Sequence, residues 1–254
     1  LRRDSRVSAV LQALLVTFLW STSWVLIKVG LADIPALTFA GLRYGLAFLC
    51  LLPFALRPAH LEMLRGLSRG TWVRLVTLGL LFYAVTQGAM FVGLAYLPAM
   101  TVSLLLNLTT VVVALAGIVM LRERPSLLQW GGVALNLVGI AVYFYPASFP
   151  AGQVVGLVIV AVGVLANAGS AILGRHVNRE MSLPPLVVTT VSMGIGAVAL
   201  LTAGGLAQGF PHLELLHWAI LGWLAAVNTA FAFTLWNRTL RTLTAMESSI
   251  INST

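Results

Sequence analysis

FLWSTSWVLIK, residues 18–28, sets two tryptophans, three hydroxyl side chains and a lysine inside an apolar segment that runs to about Gly30. At 100° per residue, Thr17, Trp20, Ser21, Trp24 and Lys28 fall on one helical face, because they are spaced by three and four. Such a seam does not suit lipid. It predicts a membrane helix whose polar and aromatic stripe looks into protein or a water-filled space, which the rest of the chain must supply.

Composition sets the class. Of 254 residues, 59% are hydrophobic and 9% charged, with mean hydropathy +0.98. Soluble domains carry about 25% charged residues, so this reads as an all-α integral membrane protein. The net charge of +8 is therefore a topological signal, and no nucleic-acid partner is expected. The single cysteine, Cys50, lies in an apolar run and is expected as a small core side chain. Arg2, Arg3 and Arg6 resemble a signal n-region, but no small-residue cleavage site follows, so a retained helix is expected.

Spans of roughly 20 apolar residues fall near 8–30, 36–56, 75–96, 99–121, 127–145, 153–174, 184–205 and 217–238, and a ninth starts at Ala245. Pro35, Pro98, Pro125, Pro150, Pro184 and Pro211 punctuate the connections. Thirteen of the 15 basic residues lie on alternate loops: Arg2, Arg3 and Arg6; Arg57, Arg65, Arg69 and Arg74; Arg122 and Arg124; Arg175 and Arg179; Arg238 and Arg241. The loops around Asp33, Pro98, Phe149 and His212 have none. The positive-inside rule then makes the N-terminus cytoplasmic, in a plasma membrane, with the bacterial inner membrane expected. A helix entering at Ala245 would stop half way across at Thr254. A terminal charge in hydrocarbon costs about 3 kcal/mol, so at least one further span is expected.

Five spans return the chain to the opposite side, so a second copy of that unit must be inverted. TLTAMESSIINST (242–254) echoes YLPAMTVSLLLNLT (96–109), and Leu-Gly-Arg at 173–175 echoes Leu-Ile-Lys at 26–28. These echoes support inverted-topology repeats, an arrangement typical of secondary transporters.

Trp20-Ser21-Thr22-Ser23-Trp24 with Lys28, followed by Leu37-Thr38-Phe39-Ala40-Gly41-Leu42-Arg43-Tyr44, resembles the first two helices of the drug/metabolite transporter superfamily, EamA-like branch. Leu97-Pro98-Ala99 into Ser103-Leu104-Leu105-Leu106-Asn107, with Leu121-Arg122-Glu123-Arg124-Pro125 and Gln129-Trp130-Gly131-Gly132, is similar to its fourth and fifth helices. Trp236-Asn237-Arg238 and Ala245-Met246 resemble its eighth-to-ninth junction. The resemblance implies ten helices in two inverted repeats of five, here residues 1–146 and a truncated 147–254. It also implies alternating-access transport of small metabolites through a cavity between the halves. Amino acids or similar amphipathic compounds are the expected cargo and export the expected direction. Thr109-Thr110 stands where many relatives have an acidic residue and a proline, so fourth-helix details do not carry over.

Polar side chains at membrane depth need protein or a wet cavity. Trp20, Ser21 and Trp24, with Tyr83 and Gln87, Asn107, Asn167, Asn228 and Trp236, are the candidate substrate-binding residues. Ser103, Thr110, Thr86 and Ser170 stand beside them. The competing reading is interhelical packing, worth about 0.6 kcal/mol per polar contact on average. Asn136 is assigned to packing because Gly132 and Gly139 share its face, and Gly41-x-x-x-Gly45 and Gly152-x-x-x-Gly156 read likewise. Arg43, about 12 Å below the outer surface by helical rise, must pair with carbonyls, a carboxylate or a ligand anion. A structural intramembrane charge tying helix two to a neighbour is the expectation. Lys28 is expected to snorkel to the outer interface.

No carboxylate or histidine is expected at the midplane, so facilitation, exchange on the substrate's own charge, and coupling through a further span stay open. An intramembrane enzyme would need a nucleophile with a base or a His-Glu-x-x-His helix. His60, His176, His212 and His217 lie in or beside loops, and no Gly-x-Ser-x-Gly occurs. An enzyme, a receptor and a structural membrane protein are thus the alternatives to a transporter that uses no metal or cofactor. The expected partners are a small molecule and the bilayer; oligomeric state is not encoded legibly.

Overall fold

The computed structural model describes residues 2–120, 126–145, 151–180 and 183–252. Eleven helices follow in order: α1 Arg2–Gly30, α2 Ala36–Ala55, α3 Pro58–Arg65, α4 Arg69–Tyr96, α5 Ala99–Asn107, α6 Thr109–Met120, α7 Leu127–Tyr143, α8 Ala151–Glu180, α9 Pro185–Ala207, α10 Leu215–Thr239 and α11 Ala245–Asn252. Seven spans among them are long and apolar enough to cross a membrane, with α5 and α6 forming one of them, and α7 is a shorter apolar helix. Arg122, Arg124, Pro125, Phe149, Pro150 and the junction of the two expected repeats lie outside the described residues, as do the side chains of Arg2, Arg3 and Arg179.

Helix starts follow local chemistry. Pro35, Pro98 and Pro184 hold extended backbone immediately before α2, α5 and α9, where proline cannot continue a helix from the preceding side. Ser126 opens α7 with a capping box to Gln129. Thr244 and Glu247 do the same for α11, exchanging bonds of 2.8 and 3.1 Å. Apolar side chains such as Leu11, Phe18, Val25, Leu135, Val158 and Val198 face outward, as they must when the surrounding solvent is lipid.

The packing is that of an inverted repeat. The second helices of the two halves, α2 and α9, pack on each other. The first helix of each half packs on the third of the other, α1 on α10 and α8 on α4. The fourth helices, α6 and α11, also meet. Small residues allow the central crossings. A Cβ on Gly41 would lie 2.8 Å from the Leu201 backbone nitrogen, and one on Gly204 2.6 Å from that of Thr38. Gly79 and Gly196 play the same part where α4 crosses α9.

Several expectations change. The connection 57–74 contains α3 and the start of α4 rather than a plain loop. The fourth span breaks at Leu108. Arg175 lies in α8 and is 4% exposed, because that helix continues past the apolar run to Glu180. Cys50 is exposed on the outer surface of α2, not in the core. Gly45 and Gly156 make the expected helix contacts, whereas Gly132, Gly139 and Gly152 meet nothing within 4 Å. Asn136 nevertheless packs, donating to the Asn107 carbonyl at 3.2 Å. Lys28 is exposed at the outer end of α1, where its ammonium donates to the carbonyls of Leu94 and Leu97 at the end of α4. An ammonium there completes a helix C-terminus.

Candidate functional site

Between the packed helices lies a cavity of about 470 Å³. The stripe of α1 opens onto it: Thr17, Trp20, Ser21 and Trp24 line it together with Ser23. The hydroxyls of Ser21, Thr22 and Ser23 donate to the carbonyls three residues back, at 2.8, 2.7 and 2.6 Å. Three adjacent hydroxyls are therefore satisfied within the helix, and the rings are left to shape the wall. Of the nine sequence-derived site residues, Trp20, Ser21, Trp24, Tyr83, Gln87, Asn107, Asn167 and Trp236 reach the cavity.

Asn228 does not line it. Its side chain is fully buried, and Nδ2 donates to the Leu19 carbonyl and to Thr22 Oγ1. Its own carbonyl accepts from Trp20 Nε1 at 3.1 Å. Asn228 is the clasp that holds α1 to α10. Position along a helix gave its level correctly but not its direction.

The aromatic wall is built around Phe233, which sequence reading passed over as one more apolar residue. Its ring centroid lies 4.8 Å from Trp20, 5.3 Å from both Phe82 and Tyr83, and 6.1 Å from Tyr44. Trp20 also stands 5.2 Å from Trp236. These tilted and edge-on pairs suit the ring quadrupoles, each contributing about 0.5–1.5 kcal/mol beyond its buried area.

Two π-helical segments shape the other surfaces: Gly79–Thr86 in α4 and Ala226–Phe231 in α10. Each contains a threonine whose hydroxyl donates to the carbonyl five residues earlier, Thr86 to Leu81 at 2.8 Å and Thr229 to Leu224 at 2.7 Å. Such wide turns recur at functional sites because they re-aim side chains. Here Tyr83 and Thr86 of the first segment, and Gln87 immediately after it, line the cavity. In the second, Thr229 Oγ1 accepts from Arg43 Nε at 2.7 Å.

Arg43 thus ties α2 to α10, and it also lines the cavity. It is 2% exposed. Its Nη2 faces the Asn228 carbonyl at 3.5 Å, and Nη1 has no hydrogen-bond partner among the described residues. The rings of Tyr44 and Phe91 flank the guanidinium carbon at 5.4 and 5.9 Å. No carboxylate among the described residues pairs with it. Among the described residues, the cost of a charge at such depth, about 3 kcal/mol by the lower scales, is offset by a hydroxyl, a distant carbonyl and two ring faces.

The remaining lining is neutral and polar. Asn167 Nδ2 donates to Thr109 Oγ1 at 3.2 Å, and Ser249 Oγ lies 3.1 Å from Thr110 Oγ1 across the fourth-helix pair. Asn237, also on the lining, donates to Thr189 Oγ1 at 2.7 Å and accepts from Asn178 at 2.8 Å, joining α8, α9 and α10. Asn237, Ser192 and Asn252 line the cavity and were missed. The Ala-Met echo could have found Asn252, which follows Ala245 by seven residues where Asn107 follows Ala99 by eight. Among the described residues, no three His, Cys, Asp or Glu side chains gather as metal ligands would. The arrangement can enclose a small molecule, stack it and hydrogen-bond it.

Comparison with known proteins agrees with this architecture. The model of the EamA-like transporter family matches twice, over residues 7–145 and 148–254. An uncharacterized transporter of Bacillus subtilis, YvbV, is 29% identical over 229 residues, 87% of this chain and 69% of that protein. A probable amino-acid metabolite efflux pump of Escherichia coli K12 is 34% identical over 139 residues, 54% of this chain and 43% of that protein. A crystal structure 18% identical in sequence superposes with a TM-score of 0.74, over 97% of this chain and 85% of the other, which establishes the shared fold alone. The chain belongs to the EamA-like transporter family and is a multi-pass membrane protein.

Proposed function

We propose that the protein moves small metabolites, amino acids or similar amphipathic compounds, out of the cell by alternating access between its inverted halves, 1–146 and 147–254. The carrying observation is the 470 Å³ cavity, which draws its lining from both halves. Rings on one side and amides and hydroxyls on the other fit a molecule with an apolar body and a polar end. The name of the Escherichia coli relative, which matches about half of this chain, supports amino-acid metabolites and efflux. The names of relatives described as inner membrane transporters support a bacterial inner membrane, and the arginine distribution supports a cytoplasmic N-terminus.

Trp20, Ser21, Trp24, Tyr83, Gln87, Asn107, Asn167 and Trp236 are the proposed substrate-contacting residues; Asn228 positions α1 behind them. The deciding experiment is uptake of radiolabelled phenylalanine, leucine and serine into proteoliposomes. Saturable uptake of at least one, absent from protein-free vesicles, is expected. Conversion of an added compound without its translocation would favour an enzyme instead. Orientation is tested in a Cys50→Ala background. His212→Cys should react with an impermeant maleimide in intact cells, and Ser68→Cys only after lysis.

A further inference from the structure

We propose that Arg43 is the anion site of the cavity, and that its free guanidinium edge binds the carboxylate of the transported molecule. This rests on the transport reading above and narrows it to carboxylate-bearing substrates.

The donor count carries the argument. A guanidinium has five N–H groups. One, on Nε, is held by Thr229 Oγ1 at 2.7 Å, and one on Nη2 meets the Asn228 carbonyl at the long distance of 3.5 Å. Both hydrogens of Nη1 and the second of Nη2 remain, on a side chain that is 2% exposed and lines the cavity. That Nη1/Nη2 edge is the fork whose planar geometry matches the two oxygens of a carboxylate.

The neighbourhood asks for the same ligand. Tyr44 is fully buried on the same lining, and its hydroxyl has no hydrogen-bond partner among the described residues. Guanidinium and phenol both offer hydrogens, so the missing partner is an acceptor. No carboxylate among the described residues supplies it. Behind this corner stand Phe233 and Tyr83, each within 6.1 Å of Tyr44, where an apolar body would lie. Thr229 is a positioning residue: by holding Nε, it leaves the Nη1/Nη2 edge for the ligand.

Lipid phosphate could present a similar anion from the bilayer. The enclosure of Arg43 favours a small molecule, and the test separates the two. The full chain in phosphatidylcholine nanodiscs is titrated with phenylalanine and with 3-phenylpropionate, each against its carboxamide. Each acid is expected to bind at least tenfold more tightly than its amide. Arg43→Gln should bring that ratio close to one, and Arg43→Lys should leave it intermediate, retaining the charge without the fork. If Arg43→Gln does not fold, the ratio in the unaltered protein and its fall in Arg43→Lys decide. Acids and amides bound equally well would overturn the anion site and leave the transport reading standing. Binding of none of the four would count against both. Adding phosphatidylglycerol should not displace the acids; displacement that vanishes in Arg43→Gln would assign the site to lipid and overturn the substrate role.

Discussion

The two walls of the cavity descend from equivalent positions but carry different chemistry. Arg43 stands eight residues after Pro35, and Ser192 eight after Pro184. Counted from the threonines of the π segments, Phe233 in α10 answers Met90 in α4. Counted from the Lys28–Arg175 echo, Trp20 in α1 answers Asn167 in α8. The wall of α1, α2 and α10 therefore holds a cation and rings. At the matching positions the wall of α4, α8 and α9 holds a thioether, an amide and a hydroxyl that donates to the Val188 carbonyl at 2.5 Å, while α4 sends Phe82 and Tyr83 into the ring cluster of the other wall. An inverted repeat supplies two similar frames, and divergence of a few side chains turns them into a site with a direction.

The largest test of this contrast removes the hub of one wall. Phe233 is 2% exposed and packed among four rings, so Phe233→Ala should cost about 3–5 kcal/mol, read as thermal unfolding in detergent. Met90 is only half-buried and contacts the main apolar core from its edge, and Met90→Ala should cost under about 2 kcal/mol. Equal losses would mean that the two walls bear the fold alike and that the ring cluster has no special part.

Next comes the frame the walls share. A side chain at Gly204 would drive into the Thr38 backbone at 2.6 Å, so Gly204→Leu should destabilise by about 3 kcal/mol and lower the yield of monodisperse protein. At Gly139 a Cβ would meet nothing within 4 Å, and Leu should be accepted there within about 0.5 kcal/mol. Tolerance of Leu at Gly204 would contradict the close crossing of α2 and α9.

How much of this was legible depended on periodicity. The spans followed from the length of apolar runs, and the stripe of α1 and the packing role of Asn136 from spacings of three and four residues. The π segments broke that rule. They add a residue to a turn without any signal in hydropathy, so the direction of Asn228 could not be read while its depth could. Phe233, Tyr44 and Ser192 escaped for another reason. Each is an ordinary residue for a buried helix face, and only the crossing of α2, α9 and α10 makes them neighbours. Cys50 misled because an apolar run in a membrane helix serves lipid and core equally well.

The paired threonines give a smaller but sharper comparison, because the same substitution is made in the same local structure. Thr229→Val removes the acceptor of Arg43 Nε as well as the bond to Leu224. Leaving a buried cation with one fewer partner should cost about 1–3 kcal/mol. Thr86→Val loses only the bond to Leu81, and about 0.5–1 kcal/mol is expected. Chemical denaturation of the two variants side by side measures the difference. If both lose the same amount, Arg43 does not depend on Thr229.

The smallest effect is expected at the ring that opened the sequence. Trp20→Phe keeps an aromatic surface against Phe233 and Trp236 but drops the indole N–H that bonds the Asn228 carbonyl. That bond contributes about 1 kcal/mol, and the carbonyl keeps its long contact with Arg43 Nη2, so the loss of stability should not exceed it. Transport should stay within about twofold, because stacking tolerates a change of ring more readily than its removal. The optical consequence is larger than the energetic one. The protein has seven tryptophans, and the difference in emission between the parent and Trp20→Phe isolates this one. That difference should respond to an added aromatic acid and to a water-soluble quencher, and should resist a lipid-soluble one. A Trp20 component quenched from the lipid phase and blind to substrate would place the ring outside the cavity, leaving the wall of α1 no richer in function than its counterpart at Asn167.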